Sequence, residues 1–202
     1  ALADESDLRA LTALPLIVVI DEAYIDFAAR PSLGRWALDQ PNVIVLRTFS
    51  KLAGLAGMRA GYGVFHASIA AHLWKLKQPY TPTAATSAAL IAALNDPGHL
   101  EDARARIVAE RERLRSALAG LGWLTPFPSE ANFLLCRITA GPAPVAGVSP
   151  GRALRDALET QGIMVRYFDR EGLRDCIRIS VGRPQDTDAL VGALKRIAGR
   201  PG

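Results

Sequence analysis

Two short β-branched runs constrain what this chain can fold into. Leu16-Ile17-Val18-Val19-Ile20 and Asn42-Val43-Ile44-Val45-Leu46 are continuous apolar segments of strand length. The first has the signature of a central parallel strand, and the second reads as a strand buried on both faces. The first run ends in Asp21-Glu22-Ala23-Tyr24, and the second leads through Arg47-Thr48-Phe49-Ser50 to Lys51. Ligands in open α/β sheets bind at such carboxyl ends of strands. Pro31 and Gly34 punctuate the connection, and Gly61 to Phe65 forms a candidate third strand. This rhythm predicts an α/β sheet covered by helices rather than a sandwich.

The remaining elements follow from period and punctuation. Residues 4–14 read as an amphipathic helix stopped by Pro15, and residues 67–78 as a helix broken by Pro79-Tyr80-Thr81-Pro82. An Ala/Leu-rich helix runs from about Thr83 to Leu94. Asp96-Pro97 then has the form of an N-cap with proline at the first helical position, opening a helix to about Leu118 that Gly120 and Gly122 stop. That helix is long enough to join two lobes, and its Asp102/Arg106 and Glu110/Arg113 pairs read as a solvated face. Beyond it, Ala131 to Ile138 is a strand and 139–147 a Gly/Pro/Ala loop. Ser149-Pro150 caps a helix ending at Gly162. Strands over 163–168 and 176–181 precede a last helix from about Gln185 to Ala198. The predicted organisation is a partial large domain over 1–97, a linking helix over 98–122, and a small α+β domain over 123–202.

Composition narrows the class. Half of the 202 residues are hydrophobic and 22% are charged, as in an ordinary globular protein. The net charge is +4, but arginines lie scattered among acids without interleaved aromatics, which argues against a nucleic-acid partner. No apolar run reaches the roughly 20 residues that span a bilayer, so no membrane association is expected. The N-terminus lacks the basic-then-apolar pattern of a signal peptide. Cys136 and Cys176 sit in apolar strand-like runs without CxxC spacing, and read as buried reduced thiols of a cytoplasmic protein.

The chemistry gathers at the strand ends. Lys51 is followed by Leu52-Ala53-Gly54-Leu55-Ala56-Gly57, which predicts a confined, partly desolvated ammonium. Burial disfavours the charged form, as a lysine nucleophile requires. Asp21 by itself reads as a turn aspartate, Tyr24 as a packing tyrosine, and Arg59 as a surface ion-pair partner. Ser50 and Arg59 together are able to hold a phosphate. An acid at one strand end, a lysine after the next strand, and then an arginine is the set that a phosphorylated pyridine aldehyde requires.

These motifs carry a resemblance. Asp21-Glu22-Ala23-Tyr24-Ile25-Asp26-Phe27, Arg47-Thr48-Phe49-Ser50-Lys51 and Gly54-Leu55-Ala56-Gly57-Met58-Arg59-Ala60-Gly61-Tyr62 resemble the fold-type-I pyridoxal-phosphate aminotransferases. Within them the resemblance is strongest to the histidinol-phosphate aminotransferases. Pro128 to Phe133, Gly162 to Arg166 and Ile177 to Gly182 are similar to that family's small-domain segments. The resemblance implies a PLP-dependent transferase-like fold and pyridoxal 5'-phosphate as cofactor. It further implies amino transfer between histidinol phosphate and 2-oxoglutarate (glutamate as the other pair) in histidine biosynthesis, and a homodimer. Carried over by position, Lys51 would form the imine and then move the proton between substrate Cα and cofactor C4′. Asp21 would pair with the pyridinium nitrogen, and Tyr24 with the 3′-oxygen. Ser50 and Arg59 would bind the cofactor phosphate. Arg178, assisted by Arg166, would grip the substrate's anionic group; Asn132 is read as structural.

The resemblance begins part-way through the family's pattern. The Gly-rich phosphate turn, the ring-stacking aromatic and the Asn-Pro-rich segment that precede the aspartate in that family are not in this sequence. A fragment needing upstream sequence for activity and a naturally short chain both remain open. So do a threonine-phosphate decarboxylase, an aromatic aminotransferase, and a non-catalytic remnant acting as an interaction partner.

Overall fold

The computed structural model describes residues 3–140 and 147–199, so most of the loop expected over 139–147 lies outside the described residues. The chain divides into two compact units between Arg104 and Ala105, a boundary that falls inside one long helix.

The first unit opens with α1 (Glu5–Thr12), whose N-cap Asp4 accepts a hydrogen bond from the Ser6 amide. Then come β1 (Val18–Asp21), α2 (Gly34–Ala37), β2 (Val43–Thr48), β3 (Gly61–Phe65), α3 (Ala67–Leu76) and α4 (Ala84–Leu94). The sheet order is β1-β2-β3. β1 and β2 pair in parallel from Val18↔Val43 to Asp21↔Leu46, and β2 and β3 pair antiparallel from Ile44↔Phe65 to Thr48↔Gly61. Parallel character therefore holds for one of the two ladders. The close β2–β3 approach at its last pair explains Gly61: a Cβ there would lie 2.6 Å from the Arg47 carbonyl oxygen.

Leu8, Val18, Ile20, Ala37, Val43 and Val45 form this unit's core, with Leu33, Trp36 and Val64 packed against it. These strand residues alternate, so they cover one face. On the other, Ile17 is 60% and Val19 55% exposed, and Leu46 is exposed too. The expectation that Asn42 to Leu46 is buried on both faces is therefore corrected. The run carries the two-sided apolar pattern of a covered sheet, but the described residues cover only one side of it. α3 buries no residue and α4 only Thr86, which leaves Trp74 and Leu76 exposed.

The second unit contains the C-terminal part of α5 (Pro97–Ala119), then β4 (Leu124–Pro126), β5 (Phe133–Ile138), α6 (Pro150–Glu159), β6 (Arg166–Tyr167), β7 (Cys176–Ser180) and α7 (Pro184–Ala198). Its sheet runs β4-β5-β7-β6 and every pairing is antiparallel. β4 carried no sequence signal of its own; it is three residues long and ends in proline. The strand expected over 163–168 narrows to the two residues that ladder with β7. Leu114 and Leu118 of α5, Leu154 and Leu158 of α6, and Leu190, Ala193, Leu194 and Ile197 of α7 pack on Leu134, Cys136, Ile177 and Ile179 of the sheet. Gly151 lets α6 lie against the backbone before β7, because a Cβ there would meet the Cys176 and Arg174 carbonyl oxygens at 2.7 and 2.8 Å.

Two local expectations are corrected here. Ser149 does not cap α6 with its side chain; its hydroxyl bonds the Tyr167 hydroxyl at 2.7 Å. Of Glu110 and Arg113 only the arginine is solvated. Glu110 is buried, accepts from Thr187 Oγ1 at 2.5 Å and is bonded by Arg113, which also reaches Asp188 at 2.7 Å and the Pro184 carbonyl at 2.6 Å. The pair thus ties α5 to the start of α7. Cys136 and Cys176 are free, buried thiols, and burial pushes the Cys136 thiol up to about 12.

Candidate active site

The parallel register of β1 and β2 brings the first group of residues to one sheet end. Asp21 closes β1 opposite Leu46, while β2 continues to Thr48 and the chain turns at Phe49 to Lys51. The turn after Asp21 forms because its Oδ1 accepts the Ala23 amide at 2.9 Å. That turn places Tyr24 under the lysine, and Lys51 Nζ sits 5.0 Å from the Tyr24 ring centroid. Lys51 and Ser50 are half-buried, whereas Asp21 is exposed. On the lysine side, the Ser50 amide donates to Thr48 Oγ1 at 3.0 Å and the Leu55 amide to the Phe49 carbonyl at 3.1 Å, closing the loop.

Arg59 ends this loop in a left-handed backbone conformation, φ 51° and ψ 43°. Its exposed guanidinium donates to the Ala56 carbonyl at 3.1 Å. Among the described residues Ser50 and Arg59 share no hydrogen bond. The structure therefore brings Lys51 and Tyr24 together on the turn that Asp21 makes, and leaves Arg59 exposed at the end of the loop that follows Lys51.

A supporting group escaped the sequence reading. Glu22 points opposite to Asp21 and is 6% exposed. It accepts from Ser32 Oγ at 2.5 Å and from the Leu33 amide at 2.7 Å, and lies 3.8 Å from Arg47. Arg47 also pairs with Asp26, whose carbonyl accepts from Arg104 Nε at 2.8 Å. These contacts pin the Asp21–Tyr24 turn to the strand that delivers Lys51. The signal was two charged residues, Glu22 and Arg47, each at the end of an apolar run.

The second group lies in the other unit. Arg166 of β6 and Arg178 of β7 are direct cross-strand partners. The Arg178 guanidinium carbon lies 5.0 Å from the Phe133 ring centroid and 5.8 Å from that of Phe168; that of Arg166 lies 5.7 Å from Phe168. Among the described residues neither guanidinium pairs with a carboxylate, and Arg178 Nε is buried without a hydrogen-bond partner. Two cations without a counter-ion among the described residues are an arrangement that could receive an anion. Phe133 and Phe168 are the residues that sequence reasoning missed here, because an aromatic in a strand reads first as packing.

Comparison with known proteins puts these residues in a family. The family model "Aminotransferase class I and II" matches residues 1–194. This chain belongs to the class I and II aminotransferases. Among that family's curated members it is 50% identical over 188 residues to the histidinol-phosphate aminotransferase of Roseiflexus castenholzii, covering 93% of this chain and 49% of that protein. It is 42% identical over 192 residues to the chloroplastic histidinol-phosphate aminotransferase of Nicotiana plumbaginifolia, covering 95% of this chain and 45% of that protein. Of solved aminotransferase structures, the histidinol-phosphate aminotransferase of Sinorhizobium meliloti in complex with pyridoxal-5'-phosphate superposes with a TM-score of 0.85 at 34% identity. That match covers 96% of this chain and 52% of the other. The chain thus spans about half the length of the aminotransferases it matches, and its α/β architecture is that of fold-type-I enzymes.

Proposed function

We propose that this chain is the lysine-bearing part of a pyridoxal-phosphate-dependent histidinol-phosphate:2-oxoglutarate aminotransferase, a cytoplasmic homodimer in histidine biosynthesis. Residues 1–97 belong to its cofactor domain and 123–202 to its small domain. The observation that carries this reading is Lys51 Nζ lying 5.0 Å from the Tyr24 ring on the turn that Asp21 makes. Support also comes from named relatives at up to 50% identity. The buried reduced thiols suit a reducing compartment.

The residues present fit pyridoxal phosphate as a donor set. An amine suits its aldehyde, a carboxylate its ring nitrogen, a phenol its 3′-oxygen, and a serine–arginine loop its phosphate. When bound, the cofactor supplies an electron sink conjugated to the substrate Cα. Asp21 has one carboxylate oxygen occupied by the Ala23 amide. The other is available to hold a proton at the ring nitrogen. Lys51 would take the proton from the substrate Cα and return it at the cofactor C4′, two bonds away, a transfer that needs its free amine within reach of both carbons. Ser50 and Arg59 orient the phosphate end by charge-assisted hydrogen bonds. Arg178 and Arg166 bind the substrate anion.

The test is a half-reaction of the complete cofactor-loaded enzyme with histidinol phosphate, phosphothreonine and phenylalanine in turn. Histidinol phosphate should discharge the cofactor's visible band and yield the keto product. A response to another amine but not to histidinol phosphate would reassign the substrate, and release of carbon dioxide from phosphothreonine would make the enzyme a decarboxylase.

A further inference from the structure

Two arginines directly opposite each other on a sheet repel, and a guanidinium without a counter-ion is costly to bury. Arg166 and Arg178 nevertheless occupy paired positions on β6 and β7 with no carboxylate partner among the described residues. What they share is one ring. Phe168, two residues after Arg166, has the Arg166 guanidinium carbon 5.7 Å and that of Arg178 5.8 Å from its centroid. Phe133 takes a second side of Arg178 at 5.0 Å. The negative π-face attracts a cation and leaves the in-plane N–H groups of the guanidinium unused. The unpartnered Arg178 Nε is one such group.

We infer that Phe168 is a positioning residue that sets anion preference at this site, holding Arg166 beside Arg178 so that a dianionic phosphate monoester engages both guanidiniums and a carboxylate engages Arg178 alone. The inference rests on the proposed function and adds a role for a ring to which no sequence motif pointed. Without the ring, repulsion is free to drive Arg166, the exposed member of the pair, out to solvent. Arg178 keeps Phe133 and stays. The loss therefore falls on the ligand that needs two charges.

The experiment compares wild type with Phe168→Leu, Phe168→Tyr and Arg166→Gln in the complete enzyme. Half-reactions give the apparent Kd of histidinol phosphate and of glutamate. For Phe168→Leu the histidinol phosphate value should rise about tenfold, the size of one cation–π contact plus a weakened ion pair. The glutamate value should stay within about twofold, below the scale of one lost ionic hydrogen bond. Phe168→Tyr should restore wild-type behaviour, and Arg166→Gln should reproduce the leucine pattern even where Phe168→Leu fails to fold. Calorimetry with phenyl phosphate and benzoate repeats the comparison without turnover. If neither amine reacts but phenyl phosphate loses affinity selectively in Phe168→Leu, the function is wrong and the role of Phe168 stands. Equal losses for both anions, or no loss for either, overturn it.

Discussion

At Asp21 the turn and the charge are separable. Asparagine keeps an oxygen to accept the Ala23 amide at 2.9 Å but cannot hold a negative charge. Asp21→Asn should therefore melt within a few degrees of wild type, because a neutral hydrogen bond contributes only about 1 kcal/mol. Its transamination rate should fall on the order of a hundredfold or more, as when a charge-stabilising partner is lost. Thermal unfolding and single-turnover kinetics on the same preparation check the split. Arg59 offers the opposite separation. A left-handed backbone costs a non-glycine residue about 1–2 kcal/mol, and Arg59 sits at φ 51°. Arg59→Gly should leave the melting temperature equal or higher while weakening pyridoxal phosphate binding in a fluorescence titration. Equal affinity in that titration would remove Arg59 from the phosphate site. The sequence showed these residues because a motif of fixed spacing marks each. It did not show Glu22, Arg47 and Phe168, whose roles come from what lies across the sheet from them.

Among the elements, α5 is where linear reasoning failed most clearly. The i,i+3 spacing of Glu110 and Arg113 is that of a solvated pair, but Thr187 and the start of α7 pack over Glu110 and bury it, while Arg113 stays exposed. The Arg113 hydrogen bond, with help from Thr187, holds the Glu110 carboxyl below its ordinary range despite the opposing effect of burial. The sign follows: this stabilisation is fully present above the ordinary glutamate value of about 4.3 and is lost as pH falls through the lower folded value. Urea midpoints of the wild type should therefore fall more steeply between about pH 6 and pH 3 than those of Glu110→Gln. At neutral pH that variant should be less stable by about 1–3 kcal/mol, since Thr187 and Arg113 lose a charged acceptor. Parallel pH curves for the two proteins would show that Glu110 is not held this way. The helices themselves were legible, because Asp96-Pro97, Ser149-Pro150 and Gly122 punctuate them. β4 and the shortened β6 were not, because their pairing is decided by β5 and β7.

For the whole molecule, the mismatch between pattern and cover is the informative feature. The β1 and β2 runs carry apolar residues on both faces, yet Ile17, Val19 and Leu46 lie exposed, as do Trp74, Leu76 and Tyr80 beyond the sheet. Large exposed apolar patches on an open sheet edge promote association. The 202-residue chain should therefore self-associate and bind an apolar dye, and Val19→Lys should reduce both in light scattering and fluorescence without loss of helical signal. A dispersed wild-type chain that ignores the dye would contradict the exposed face. The fold class was legible from the two runs and their polar ends. The covering of their outer face was not, since no pattern within these residues supplies it.

The central claim is that the amine at the end of β2 condenses with a pyridine aldehyde. Pyridoxal phosphate followed by borohydride reduction and peptide mapping of the protein tests it against three internal controls, the exposed lysines Lys75, Lys77 and Lys195. The account predicts stoichiometric labelling of the Lys51 peptide, lost in Lys51→Ala without transfer to the other three. Labelling spread evenly over all four lysines, or absent from Lys51, would contradict it.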